Sequence, residues 1–253
     1  VSWHESAILA IAAVAAERKV EQVWVFGSAA SSELDEWSDL DVALVTPHVE
    51  NANLGWLSGL GTVWAYEVAG NTTRVVLKDG RRIDLVVVPN EDAIPGTKRK
   101  RIEVPPADDA PRAAKPEEVP ALVNEFRFLA VQAVVKAARH DLLIGTHLAL
   151  ELPRRCLVLA MMLRDREVGT TVHRFGGPRN DLAARALGAA AKPDGILTIV
   201  SRARDLFDEL ATEYWPTYQP DWSPLQALTD HFPASAVSVS PDTTNTVRTG
   251  ETS

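Results

Sequence analysis

The stretch Phe26-Gly27-Ser28, nine further residues, then Ser38-Asp39-Leu40-Asp41-Val42 decides the fold. Val23–Phe26 is a short β-prone run stopped by Gly27-Ser28, so it reads as a strand and then a turn. Leu40–Thr46 is a second apolar run, stopped by Pro47. Side chains alternate across a strand, so Asp39 and Asp41 share one face while Leu40 and Val42 share the other. Two neighbouring carboxylates repel unless a cation stands between them, and a hard divalent ion such as Mg²⁺ takes oxygen ligands. Gly27 lets the backbone approach a ligand closely, and Ser28 offers a hydroxyl and an N–H to a phosphate.

Working outward, a helix is expected over residues 4–18, where Ile8, Ile11, Ala12 and Ala15 have the spacing of one helix face. Val63–Val68 is a third strand. Thr73–Lys78 and Arg82–Val88 flank Asp79-Gly80, a two-residue hairpin signal. Within Arg82–Val88, Asp84 stands between Ile83 and Leu85, where an ionised carboxylate is costly unless paired with Arg82 or Arg74, or bound to metal. The fold class is α+β: a mixed sheet of about five strands with flanking helices over residues 1–95, then a helical bundle. Residues 96–120 are expected to be a linker, since six prolines fall between Pro95 and Pro120. Helices are expected over 121–143, 153–166, 181–190 and 196–214, within a helical unit at 121–233. Pro153 suits a first turn. Residues 234–253, rich in Ser and Thr, are expected to be disordered.

The chain has 253 residues and a net charge of −8. Residues 1–97 hold 6 basic and 14 acidic side chains, and the remainder is balanced. An acidic N-terminal half opposes a broad nucleic-acid footprint and suits metal ions or a cationic small molecule. The longest apolar run, Ala7–Ala16, is too short to span a membrane. The single cysteine, Cys156, cannot close an internal disulfide, so a reducing, cytoplasmic setting is expected. Neither a nucleic-acid nor a membrane partner is expected, and the assembly is a monomer or homodimer. The six histidines lack metal-ligand spacing. Lys98-Arg99-Lys100-Arg101 is taken as a solvated piece of the linker.

Gly-Ser, then Asp-x-Asp about ten residues on, then a third Asp on a downstream strand resembles the nucleotidyltransferase superfamily with the DNA polymerase β fold. Within it, the chain is most similar to the bacterial aminoglycoside 6-adenylyltransferases, the streptomycin-modifying branch. Trp56-Leu57 lies where that branch has a Trp-Leu pair, and Asp79-Gly80-Arg81-Arg82-Ile83-Asp84-Leu85 is similar to its Asp-Gly-x-x-Ile-Asp-Leu segment. Lys115-Pro116, Asn124-Glu125-Phe126, Lys136 with Arg139 and Asp141, and Leu206-Phe207 through Pro216 resemble its later motifs. Arg127-Phe128 departs from the aromatic pair usual after Asn-Glu-Phe.

The resemblance implies transfer of AMP from ATP to an aminoglycoside hydroxyl, with streptomycin the first choice, and release of pyrophosphate. Asp39, Asp41 and Asp84 would be catalytic and would hold two Mg²⁺ ions, Asp84 acting either as metal ligand or as base toward the hydroxyl. Gly27, Ser28, Lys136 and Arg139 would meet the nucleotide. Glu125, Asn124 and Trp56 would meet the acceptor, and Trp37 is a further candidate wall of the pocket. Two other readings stay open: a nucleotidyltransferase with a protein or RNA acceptor, and a non-catalytic nucleotide-binding module. The helical region speaks against the first of these and the intact triad against the second.

Overall fold

Apolar residues on one face of the first helix, among them Ile11, Val14 and Ala15, lie buried against the sheet and fix helix α1, Trp3–Glu17. In the computed structural model the described residues are 3–18, 20–31, 34–35, 37–47, 57, 60–104, 117–172, 178–179, 182 and 193–231. After α1 come β1 (Gln22–Phe26), a four-residue helix α2 (Ser28–Ser31) and β2 (Leu40–Val45). Then follow β3 (Val63–Ala69), β4 (Thr72–Leu77), β5 (Arg82–Val88) and β6 (Arg99–Ile102). The helices α3 (Ala121–Ala138), α4 (Leu142–Val168), α5 (Pro193–Tyr214) and α6 (Ser223–Asp230) follow among the described residues.

The six strands form one mixed sheet in the order β3-β4-β5-β2-β1-β6. Only β2 and β5 run parallel. Both are apolar beyond their first residues because both of their faces are covered. One face packs on α1; a small cluster of Ala43, Val45, Val86, Val88 and Ile94 forms elsewhere. The largest core joins α3, α4 and α5 to Trp64, Ala65 and Val76 of the sheet. Phe126 stacks on Phe207 at 4.1 Å between ring centres, and Trp64 donates its indole N–H to the carbonyl of Asp221 at 2.9 Å.

The α+β class and its element types match the expectation from sequence; several boundaries do not. Arg99–Ile102, assigned above to the linker, is the sixth strand and pairs antiparallel with β1. Its charges are tolerated because it lies at the sheet edge with Arg99, Lys100 and Arg101 exposed. The Asp79-Gly80 connection is longer than two residues: Leu77 and Arg81 still share a hydrogen bond, and Gly80 takes the left-handed conformation that closes the turn. The expected helix 121–143 breaks at Arg139-His140, and Pro153 lies inside the 27-residue α4 rather than at a helix start. A proline there forfeits one backbone hydrogen bond. Full burial of Leu152, Cys156 and Leu159 against the neighbouring helices compensates. The expected helix 181–190, apart from Leu182, and the tail 234–253 lie outside the described residues. Among the described residues no helix is long and apolar enough to cross a membrane.

Candidate active site

Strand pairing brings the sequence-distant carboxylates together. On parallel neighbours β2 and β5, Asp41 is the register partner of Asp84; on β1 its partner is Phe26, the residue before Gly27. Asp39 directly precedes β2. Gly27 has φ +64°, and a Cβ built there would collide with the Asp41 carboxylate. Glycine is therefore required at 27 twice over, by backbone conformation and by the space that Asp41 needs. Ser28 follows at once and opens α2.

The row extends further. Asp84 is the partner of Arg74 on β4, and Arg74 of Glu67 on β3. Residues directly opposite one another point to the same face of a sheet, so Glu67, Arg74, Asp84 and Asp41 form a continuous line across four strands. Arg74 Nη1 lies 2.9 Å from Glu67 Oε2, and its Nε lies 3.2 Å from Asp84 Oδ2. Buried Arg82 donates to the carbonyl of Trp37 and lies 3.9 Å from Asp39. It thus ties β5 to the loop that carries the Asp-x-Asp pair.

Positive charge is in short supply here. Burial first, then the charges of Asp39 and Asp84, push the Asp41 carboxyl up to about 7, against the pull of Arg139 and Arg82. Burial and the charge of Asp39 likewise raise Asp84 to about 6, offset by Arg74 and Arg82. Such crowding of hard oxygen donors fits a divalent cation, which would favour the ionised carboxylates. Asp39 and Asp41 are the residues that would hold the ion. Among the described residues no three such side chains stand in ready-made ligand array; Asp84 is engaged with Arg74.

The helical region contributes unequally. Arg139, at the end of α3, reaches the motif loop: its Nη2 lies 3.0 Å from Asp35 Oδ1 and 3.3 Å from Ser38 Oγ. Lys136 instead pairs with Asp141 at 3.4 Å, in the corner between α3 and α4. Glu125 pairs with Arg155 of α4 at 3.1 Å. Asn124, expected at the acceptor, uses its amide on the β3 backbone, accepting from the N–H of Tyr66 at 2.9 Å and donating to its carbonyl at 2.8 Å. Trp37 is buried with the helical core, and Trp56 lies outside the described residues. A cavity of about 520 Å³ opens between β3 and the helices, lined by Tyr66, Glu67, Asn124, Glu125, Phe128 and Arg155 among others.

Residues 10–106 match the family model described as nucleotidyltransferase domain. Over that stretch, which includes the whole sheet, the chain is similar to a nucleotidyltransferase domain. The match runs through β6, beyond the boundary at 95 expected from composition. A search of the curated proteins gives no match. The match supports nucleotide transfer, a transferase chemistry, in general. The contacts of Glu67 and Arg155 are not foreseen above, and Arg82, expected there as a possible partner of Asp84, bonds to Trp37 and lies near Asp39. The signal for Glu67 was Gly70-Asn71, a two-residue hairpin cue that sets Glu67 opposite Arg74.

Proposed function

We propose that the protein transfers AMP from ATP to a hydroxyl of an aminoglycoside, inactivating it and releasing pyrophosphate. Streptomycin is the first candidate, with the 6-hydroxyl chosen by resemblance. The observation that carries the acceptor class is the cavity on the Asp84 side of the sheet, whose wall holds two carboxylates, Glu67 and Glu125. Carboxylates recognise guanidinium and ammonium groups through charge-assisted hydrogen bonds, and streptomycin has two guanidinium groups.

In this reading Gly27 and Ser28 present the backbone to the triphosphate, and Arg139 swings from Asp35 to a phosphate, with Lys136 as a second cation. Asp39 and Asp41 would hold Mg²⁺, which when bound neutralises the triphosphate and the charge developing on the departing pyrophosphate. The acceptor oxygen attacks the α-phosphorus, the bond from that phosphorus to the bridging oxygen of pyrophosphate breaks, and the hydroxyl proton passes to Asp84. Asp84, raised to about 6, is suited to holding that proton. Positioning and charge neutralisation supply most of the acceleration in such transfers. We place the reaction in the cytoplasm, on a monomer or homodimer, without nucleic acid or membrane.

Release of pyrophosphate from ATP and Mg²⁺, measured against a panel of aminoglycosides, tests this. Streptomycin is expected to give the fastest release. Release with no member of the panel would overturn the acceptor class and turn attention to protein or RNA acceptors.

A further inference from the structure

Both carboxylates of the acceptor cavity are already occupied by guanidinium groups of the chain itself. Glu125 is held by Arg155, and Glu67 by Arg74, whose other edge reaches Asp84. Glu67 lines the cavity, and Arg74 and Glu67 are each about half exposed (45%), so their pair is open to solvent and not sealed in the core. Arg74 comes from the middle of the four-strand row, between the residue that faces the cavity and the residue that faces the reaction. A chain needing Arg74 only as a brace for the sheet would gain little from it, since exposed pairs of this kind contribute little stability.

We propose that Arg74 is a resident placeholder for a cationic group of the acceptor. In the free protein its guanidinium bridges Glu67 and Asp84. A guanidinium or ammonium group entering the cavity takes over Glu67, and Arg74 remains on Asp84 alone. The exchange links occupancy of the cavity to the orientation of the Asp84 carboxylate, so Arg74 is a positioning residue that discriminates cationic from neutral acceptors. No bond is made or broken in the exchange, and charge is conserved at Glu67. The inference rests on the acceptor class proposed above and adds a competitor for it within the chain.

The competition has an unusual signature. Removing the placeholder should tighten acceptor binding while slowing turnover, whereas simple damage to the site would weaken both. Titration calorimetry of the intact protein with ATP and Mg²⁺ present, using streptomycin and the small bisguanidine 1,4-diguanidinobutane, reads this directly. Arg74→Gln is expected to bind both cations about fivefold tighter, the factor set by loss of an exposed salt bridge, with a lower kcat toward the acceptor. Glu67→Gln is expected to bind both about fivefold more weakly. Arg74→Lys keeps the charge and should stay within about twofold of the wild type. Unchanged or weaker binding of both cations by Arg74→Gln overturns the placeholder, whether or not streptomycin is a substrate. If no variant binds streptomycin while the bisguanidine still tightens in Arg74→Gln, the placeholder stands and the streptomycin assignment falls.

Discussion

Asp41 stands at the centre of the acidic cluster: it meets Asp84 by register, Gly27 by proximity and Asp39 by charge. Asp41→Asn keeps the shape and removes the charge, and is expected to lower the transfer rate at least about 10³-fold, about 4 kcal/mol of transition-state stabilisation. Steady-state assays with saturating Mg²⁺ check it, and near-normal turnover would remove Asp41 from the chemistry. Gly27→Ala should be almost as damaging, since the added Cβ meets the Asp41 carboxylate and the left-handed backbone is strained for any other residue. Circular dichroism alongside the assay separates lost activity from lost fold. The three aspartates were legible in the sequence because strand alternation and an acid inside an apolar run are local signals. The partner of Glu125 was not legible, because Arg155 arrives from another helix and no local spacing predicts the meeting.

At the scale of elements, α3 is the beam that joins the helices to the sheet. Val123, Phe126, Ala130 and Val134 are fully buried along it, and Asn124 clips it to both backbone groups of Tyr66 on β3. Asn124→Ala strands those two groups and is expected to cost about 1–3 kcal/mol, seen as a lower midpoint in urea. An unchanged midpoint with a raised KM for the acceptor would instead mark Asn124 as a substrate contact. The apolar strands and α1 could be read from periodicity because burial wrote the pattern. The strand β6 could not: Arg99, Lys100 and Arg101 look like loop, and only pairing with β1 makes them strand. Pro153 misled for the opposite reason, since a local rule about helix starts yielded to packing along the 27 residues of α4.

For the whole molecule, the acidic excess of residues 1–97 becomes a dependence of stability on pH. Asp41 at about 7 and Asp84 at about 6 hold their protons more tightly in the folded chain than at the ordinary carboxylate value of 3.8. Between roughly pH 4 and 7 the folded state therefore binds more protons than the unfolded state, and the contribution of these two groups to stability falls as pH rises. Other carboxylates act in the opposite direction: Asp79 and Asp221 are held low by Arg81 and Lys78. The informative quantity is thus the difference between wild type and Asp41→Asn. In the metal-free protein, melted in EDTA from pH 4 to 8, the variant is expected to gain on the wild type as pH rises. Near pH 7.5 it should lead by about 2–4 °C, the shift made by 1 kcal/mol in a chain of this size. Mg²⁺ should reverse the order. At a hundredfold excess over its Kd the ion stabilises the wild type by about 2.7 kcal/mol, and more at pH 8 than at pH 5, where protons compete for the same oxygens. Asp41→Asn should gain far less. Parallel melting curves for the two proteins across the pH range, with and without Mg²⁺, would mean that the carboxylate row is neither strained nor a cation site.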